Sequence, residues 1–269
     1  MVGRLSRMMQ RIAALLCLSV LSVIFASGQP FKEHHSESYE VNDQWTLVLK
    51  NDAGNVAIVG WNQPRVQVDW TICSSSKQGL DVPWVEIRTD HQEVNVRTAR
   101  PISKTRVENS QVVSAGPWRV DYIVHVPRRL RTLDLSTMDG EVSIVGAQGD
   151  VRLSALTGKV TIEDVAGNLE VSTLHAKQTV RLAAVSGHRS IQLRSVNGSI
   201  LISMSAKSDV NVAASSANGG FSNEFGWVPQ ARKYEDGKDL QGKLGTGDAT
   251  LNIEDVNGSV TIAAERGMR

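Results

Sequence analysis

From Val142 to Val196 the chain counts in nines, with small slips, and the count returns at Leu251. The unit is apolar, any, apolar, any, any, apolar, any, glycine. It reads Val142, Ile144, Ala147, Gly149, then Val151, Leu153, Leu156, Gly158, then Val160, Ile162, Val165, Gly167. Leu169, Val171 and Leu174 follow with Ala176 in the glycine place. Val180, Leu182, Val185, Gly187 and Ile191, Leu193, Val196, Gly198 each arrive after a two-residue slip, and Leu251, Ile253, Val256, Gly258 close the series. A unit this short cannot bury its own apolar face, so the copies must stack on one another. Paired apolar residues two apart give a strand with one buried side. Polar Ser143, Arg152, Thr161 and Glu170 between the pairs give it a solvated side.

Two nine-residue units make a turn of about 18 residues, with turns stacked roughly 4.8 Å apart. The expected fold is therefore all-β: a single-stranded parallel β-helix, or β-solenoid, of nine-residue strand-corner repeats. An antiparallel meander is the rival, because Asp139-Gly140 and Asn197-Gly198 also favour hairpins. The corners at 155–158 and 164–167 contain Leu156 and Val165, which favours the solenoid with inward-packing corners. Pairs such as Leu47/Leu49, Val56/Ile58, Val66/Val68 and Val94/Val96 extend the architecture into the first half with longer corners.

The first residues differ from the rest. Arg4, Arg7 and Arg11 precede an apolar run from Ile12 to Phe25 that ends in Ala26-Ser27-Gly28. That is the layout of a secretory signal peptide cleaved after Gly28. The run is short for the roughly 20 residues of a spanning helix, so an uncleaved anchor is the rival reading. Removing three of the 29 basic residues leaves 26 against 28 acidic ones, with no basic stripe, which argues against a nucleic-acid partner. Cys73 becomes the only cysteine and is expected to be a buried, inert thiol, with an intermolecular disulfide as the alternative.

The expected organisation is a signal peptide (1–28), a flexible segment (29–44) and a β-solenoid domain (45–269). Within the domain, 45–132 is irregular, 133–204 holds the regular repeats, 205–248 is an insert or cap and 249–262 closes the stack. Breaks in the rhythm fall at 74–83, 99–117 and 203–248.

Several elements together resemble the bacterial "putative adhesin" family. They are Val124-His125-Val126-Pro127, Asn55 to Trp61 with its Gly-Trp corner, Ser222-Asn223-Glu224-Phe225, Gly242 to Gly247 and the closing run from Leu251 to Ile262. The resemblance covers roughly Trp45 to Ile262. It implies an exported or membrane-attached β-solenoid and a cell-envelope location. It implies no catalytic residues.

The residues carry little overt chemistry. Asp139, Asp150 and Asp164 are the acids that stacked corners could gather, as a carbohydrate-active β-helix enzyme would require. They fall in different phases of the repeat and read as solvated corner acids. Gly245-Thr246-Gly247-Asp248 is a lone partial match to a calcium-binding repeat. His34-His35 lacks further spaced ligands for a metal. No cofactor is expected. Trp45, Trp61 and Trp70 fall at core places. Trp84, Trp118, Phe221, Phe225 and Trp227 adjoin the breaks in rhythm and are the candidate binding residues.

The expected function is a non-enzymatic, adhesin-like module that binds an envelope or surface protein or a glycan. It would be located in the periplasm, on the cell surface or secreted, without a stable membrane span. A carbohydrate-active enzyme and a structural or regulatory envelope scaffold are the alternatives.

Overall fold

The computed structural model describes residues 30–81, 83–99, 107–108, 111–112, 117–232 and 236–265. The expected signal peptide and most of the break at 99–117 lie outside the described residues. The described chain is all-β, built around one large, mostly parallel sheet.

Pairing repeats at eighteen residues, two sequence units at a time: Leu133 opposes Val151, and Val151 opposes Leu169. Thr132–Val145, Asp150–Glu163 and Leu169–Leu182 are each a single fourteen-residue strand bent in the middle. Each such rung has two limbs. The first limb of Thr132–Val145 buries Leu133 and Leu135, and the second buries Val142 and Ile144. A fully buried side chain of this size contributes about 1.5–3 kcal/mol. Every rung therefore depends on its neighbours to cover both of its apolar edges.

The rungs are not stacked in chain order. Four rungs run in sequence from 132 to 204, but the ends are interleaved. Thr46–Ala53 and Val56–Trp61 form a rung that pairs on one side with Thr132–Val145. On its other side it pairs with Glu93–Ala99 and Trp118–Pro127, which come later in the chain. The far end mirrors this. Ala249–Asp255 and Ser259–Ala264 lie between the rung of Ser190–Ser195 and Ile200–Met204 and the rung of Val210–Ser216 and Gly220–Asn223. The lapse of rhythm over 205–248 thus contains a full rung.

Antiparallel strands cover parts of both ends. Arg65–Ser74 pairs with Trp118–Pro127, Trp84–Asp90 with Glu93–Ala99, and Lys238–Leu244 with Val210–Ser216. The turn between Asp90 and Glu93 has both central residues, His91 and Gln92, at positive φ (48° and 63°), the geometry that joins twisted antiparallel strands. Residues 29–44, expected to be flexible, contain the ten-residue strand Phe31–Glu40 along Arg65–Ser74. Its exposed outer edge is rich in charge, which discourages pairing with another chain.

The two corners of a rung differ, which corrects the expectation that every corner packs inward. After the second limb, Ala147, Val165 and Val185 are buried. After the first limb, Leu156, Leu174, Val196 and Val256 are 36–41% exposed, although they occupy the same place in the nine-residue unit. Close backbone approach at the following glycine is common to both corners: a Cβ on Gly149 or Gly167, after the inward residues, would lie 1.6 or 2.3 Å from a neighbouring carbonyl oxygen. Gly158 has φ +116°, and a Cβ on it would lie 1.9 Å from the Gly140 carbonyl oxygen on the next rung. The backbones approach so closely there that no side chain fits between them.

Other expectations are also corrected. The slip before Val180 is not an insertion, because Gln178 opposes Val160 and fills a core place. Its amide donates to Thr173 Oγ1 (2.8 Å) and to the Arg194 carbonyl oxygen (2.6 Å). Trp61 is half-buried rather than a core residue. Its Nε1 donates to the Arg65 carbonyl oxygen (2.8 Å), and its ring meets His125 at 5.0 Å.

Candidate functional site

The outward face of the first limbs is an ordered surface. Register places its side chains in rows that cross the rungs. One row runs Glu86, Arg97, Lys50, Ser136, Ser154, Ser172, Arg194, Glu254. Arg194 ties the row to its neighbour by pairing with Glu254 (3.1 Å) and Glu170 (3.5 Å). Two residues further along each rung stands a second row: Met138, Leu156, Leu174, Val196 and Val256, the first of them 48% exposed. Five apolar side chains on successive rungs make a ridge about 19 Å long at the usual strand spacing. Contiguous exposed apolar surface of this kind marks interaction sites.

At one end the face hollows into an open cavity of about 610 Å³. Its walls come from Lys50 and Asp52, from Glu86, Arg88 and Asp90, from Glu93, Asn95 and Arg97, and from Ser136 and Met138. Three of the acids are engaged: Glu86 by Arg88, Asp90 by His91 (2.7 Å) and Glu93 by the Asn95 amide (3.0 Å). Asp52 also has a partner. Lys50 and Arg97 face each other across adjacent strands and make no ion pair or hydrogen bond among the described residues. The floor is fixed by a buried network. Thr98 Oγ1 donates to Asn51 Oδ1 (2.8 Å) and lies 2.6 Å from the Tyr122 hydroxyl, while Asn51 Nδ2 donates to the Val120 carbonyl oxygen (3.0 Å). Burial pushes the Tyr122 phenol well above its ordinary pKa, so it stays protonated and available as a donor.

Thr98 and Asn51 begin a ladder of small, mostly polar residues inside the first corner. It continues through Thr137, Ala155, Thr173, Ser195, Asp255 and Ser216, all buried. Asp255 is its one carboxylate. The amides of Val256 and Gly258 and the Ser195 hydroxyl lean toward it without completing hydrogen-bond geometry. Burial therefore dominates and raises its pKa.

The five aromatics singled out from the sequence are not brought together. Trp84 is 48% exposed, opposite Ala99 and two residues before the cavity-lining Glu86 on the same strand. Trp118 is half-buried against the core and lines a second hollow at the same end of the stack. Phe221, Phe225 and Trp227 lie at the far end and pack on the core, the last two stacked 4.8 Å apart. Trp227 lies flat on the Gly242 backbone.

Asp139 and Asp150 do not converge. Asp150 opposes Thr132 at the start of the first limb, and Asp139 lies beyond its end, a separation of about 16 Å or more. That exceeds the reach of a glycosidase pair. Asp164 sits at the corner after the second limb with φ 56°, across the rung from Asp139. Among the described residues, no three of His, Cys, Asp and Glu are placed to hold a metal ion. No described helix is long and apolar enough to cross a membrane. Cys73 is buried beside Asp121, and burial raises its pKa, so the thiol is a poor nucleophile. Lys50 and Arg97 were missed by sequence reasoning. They are 47 residues apart in the chain, and only strand register makes them neighbours.

The sequence model of Toastrack DUF4097 matches residues 46–263. The chain belongs to this family, which is the "putative adhesin" group of unknown function. No curated protein matches the chain. Among solved structures it is similar to a "putative cell adhesion protein" from Clostridium sporogenes, at 14% identity over 88% of this chain and 100% of that one, TM-score 0.47. It is similar to a "putative adhesin" from Bacteroides fragilis, at 11% identity over 87% and 99%, TM-score 0.40. It is also similar to a "putative lipid binding protein" from Parabacteroides distasonis, at 10% identity over 87% and 97%, TM-score 0.30.

Proposed function

We propose that the protein is a non-enzymatic, exported binding module of the cell envelope or surface, adhesin-like in action. In this reading the stacked rungs are a β-solenoid whose broad first-limb face engages a surface protein or glycan. It works in the periplasm, on the cell surface or after secretion. The observation that carries the reading is the exposed row from Met138 to Val256. It keeps an apolar residue on five rungs where the core gains little from it. Trp84 belongs to the same face. Trp118, Phe221, Phe225 and Trp227 serve as end packing.

The test compares the native chain with a variant carrying Leu156→Ser, Leu174→Ser and Val196→Ser on an immobilised envelope preparation. The native chain is retained, and the triple variant, folded to the same thermal midpoint within a few degrees, loses at least tenfold in retention. Equal retention of both sinks the reading. Fractionation of cells that express the tagged chain checks the location, and recovery only with cytoplasmic markers contradicts export.

A further inference from the structure

We infer that the cavity at the start of the first-limb face binds a linear glycan carrying spaced carboxylates, such as a uronic-acid polymer, with a carboxylate between Lys50 and Arg97 and a sugar ring on Trp84. This deepens the proposed binding role by naming the ligand's chemistry.

The cation pair is the first support. Like charges directly opposite each other on adjacent strands destabilise a sheet. Lys50 and Arg97 are placed that way and make no ion pair among the described residues, while the cavity acids each have another partner. Glu86 stands opposite Arg97 on its other side, but its carboxylate is engaged by Arg88. An incoming carboxylate would relieve the like-charge pair, accepting a forked pair of hydrogen bonds from the guanidinium and a third from the ammonium.

The walls are the second support, because they select the kind of anion. Asp52, Glu86, Asp90 and Glu93 surround the pair and repel a densely charged polyanion. Asn95 and Ser136 offer donors and acceptors suited to hydroxyl groups. The cavity therefore fits a ligand with isolated negative charges among neutral hydroxyls.

Trp84 is the third support. It stands one strand beyond Arg97 and two residues along, about 8 Å away by strand geometry. Its half-exposed ring offers a flat apolar face to the C–H face of a sugar. That distance lies within the length of a short oligomer, one unit stacked on Trp84 and another held by its charge. The buried hydrogen bonds of Thr98, Asn51 and Tyr122 keep the floor rigid, so the site is already formed before the ligand arrives.

The experiment is calorimetric titration of the protein with a linear galacturonate hexamer, a neutral cellohexaose and a short poly-glutamate. The galacturonate hexamer binds, and the other two bind at least tenfold more weakly. Lys50→Gln with Arg97→Gln weakens galacturonate binding at least tenfold and flattens its salt dependence. Trp84→Ala weakens it severalfold. All variants keep the native thermal midpoint. Absence of galacturonate binding, or binding unaffected by these substitutions, overturns the inference. Equal binding of poly-glutamate overturns the sugar, and equal binding of cellohexaose overturns the charge. If the serine triple variant loses envelope retention while galacturonate fails to bind, only this inference falls and the broader binding role stands.

Discussion

The two corners of each rung carry the same sequence signal and meet different fates. Val165 and Val185 are buried at the corner after the second limb, whereas Leu156, Leu174 and Val196 stand exposed at the corner after the first. An apolar residue three places past a strand pair therefore has no fixed meaning. The glycine beyond it does not decide its direction, since Gly149 and Gly167 follow the inward residues in equally close approach and Ala176 follows the outward Leu174. The inward corner builds the core and the outward corner builds a surface.

The largest effect should come from filling the close approach itself. Gly158→Ala is expected to cost about 3 kcal/mol or more, because its Cβ overlaps the Gly140 carbonyl oxygen and its φ is unfavourable for an L residue. Urea denaturation measures this, and a cost under about 1 kcal/mol would mean that the corners are looser than described. Next, Val185→Ala at the inward corner should cost about 2 kcal/mol. Leu156→Ala at the outward corner should cost less than about 1 kcal/mol, although it removes more atoms. Equal costs would erase the contrast.

An effect of opposite sign concerns the polar ladder behind the outward corner. The pKa of Asp255 is raised in the fold, so its contribution favours folding in acid and is lost as pH rises through the folded pKa. Asp255→Asn should therefore stabilise the protein by about 1 kcal/mol at neutral pH. The gain should shrink as pH falls through the carboxyl's titration. Thermal midpoints of both proteins across that range test the sign, and a variant less stable at neutral pH would show that the carboxylate is satisfied.

The limbs were legible in the sequence because their signal is local. Val142, Ile144, Val151 and Leu153 announce a buried side through a period of two, and register places them in the core. The corners were legible only in part. Leu156 and Val165 look alike as letters and differ only in which corner of the rung they occupy. Gln178 concealed a regular rung because a buried amide, its Nε2 donating to Thr173 and to the Arg194 carbonyl oxygen, stands where a valine would. The interleaved ends were not legible, since a repeat records how rungs fit and not the order in which they are laid. The cation pair was hidden for the same reason. Lys50 follows Leu49 and Arg97 follows Val96 in ordinary strands, and only the insertion of one rung beside another makes them a pair.

The interleaving also limits how such a protein can change in length. Thr46–Trp61 and Ala249–Ala264, the first and last rungs along the chain, each lie one place inside the stack and are flanked on both sides. A duplicated unit appended at either terminus would find no free rung edge there. An extra eighteen residues between Val145 and Leu169, where chain order and stacking order agree, would meet matching neighbours above and below. The architecture grows from its middle, and its ends stay constant.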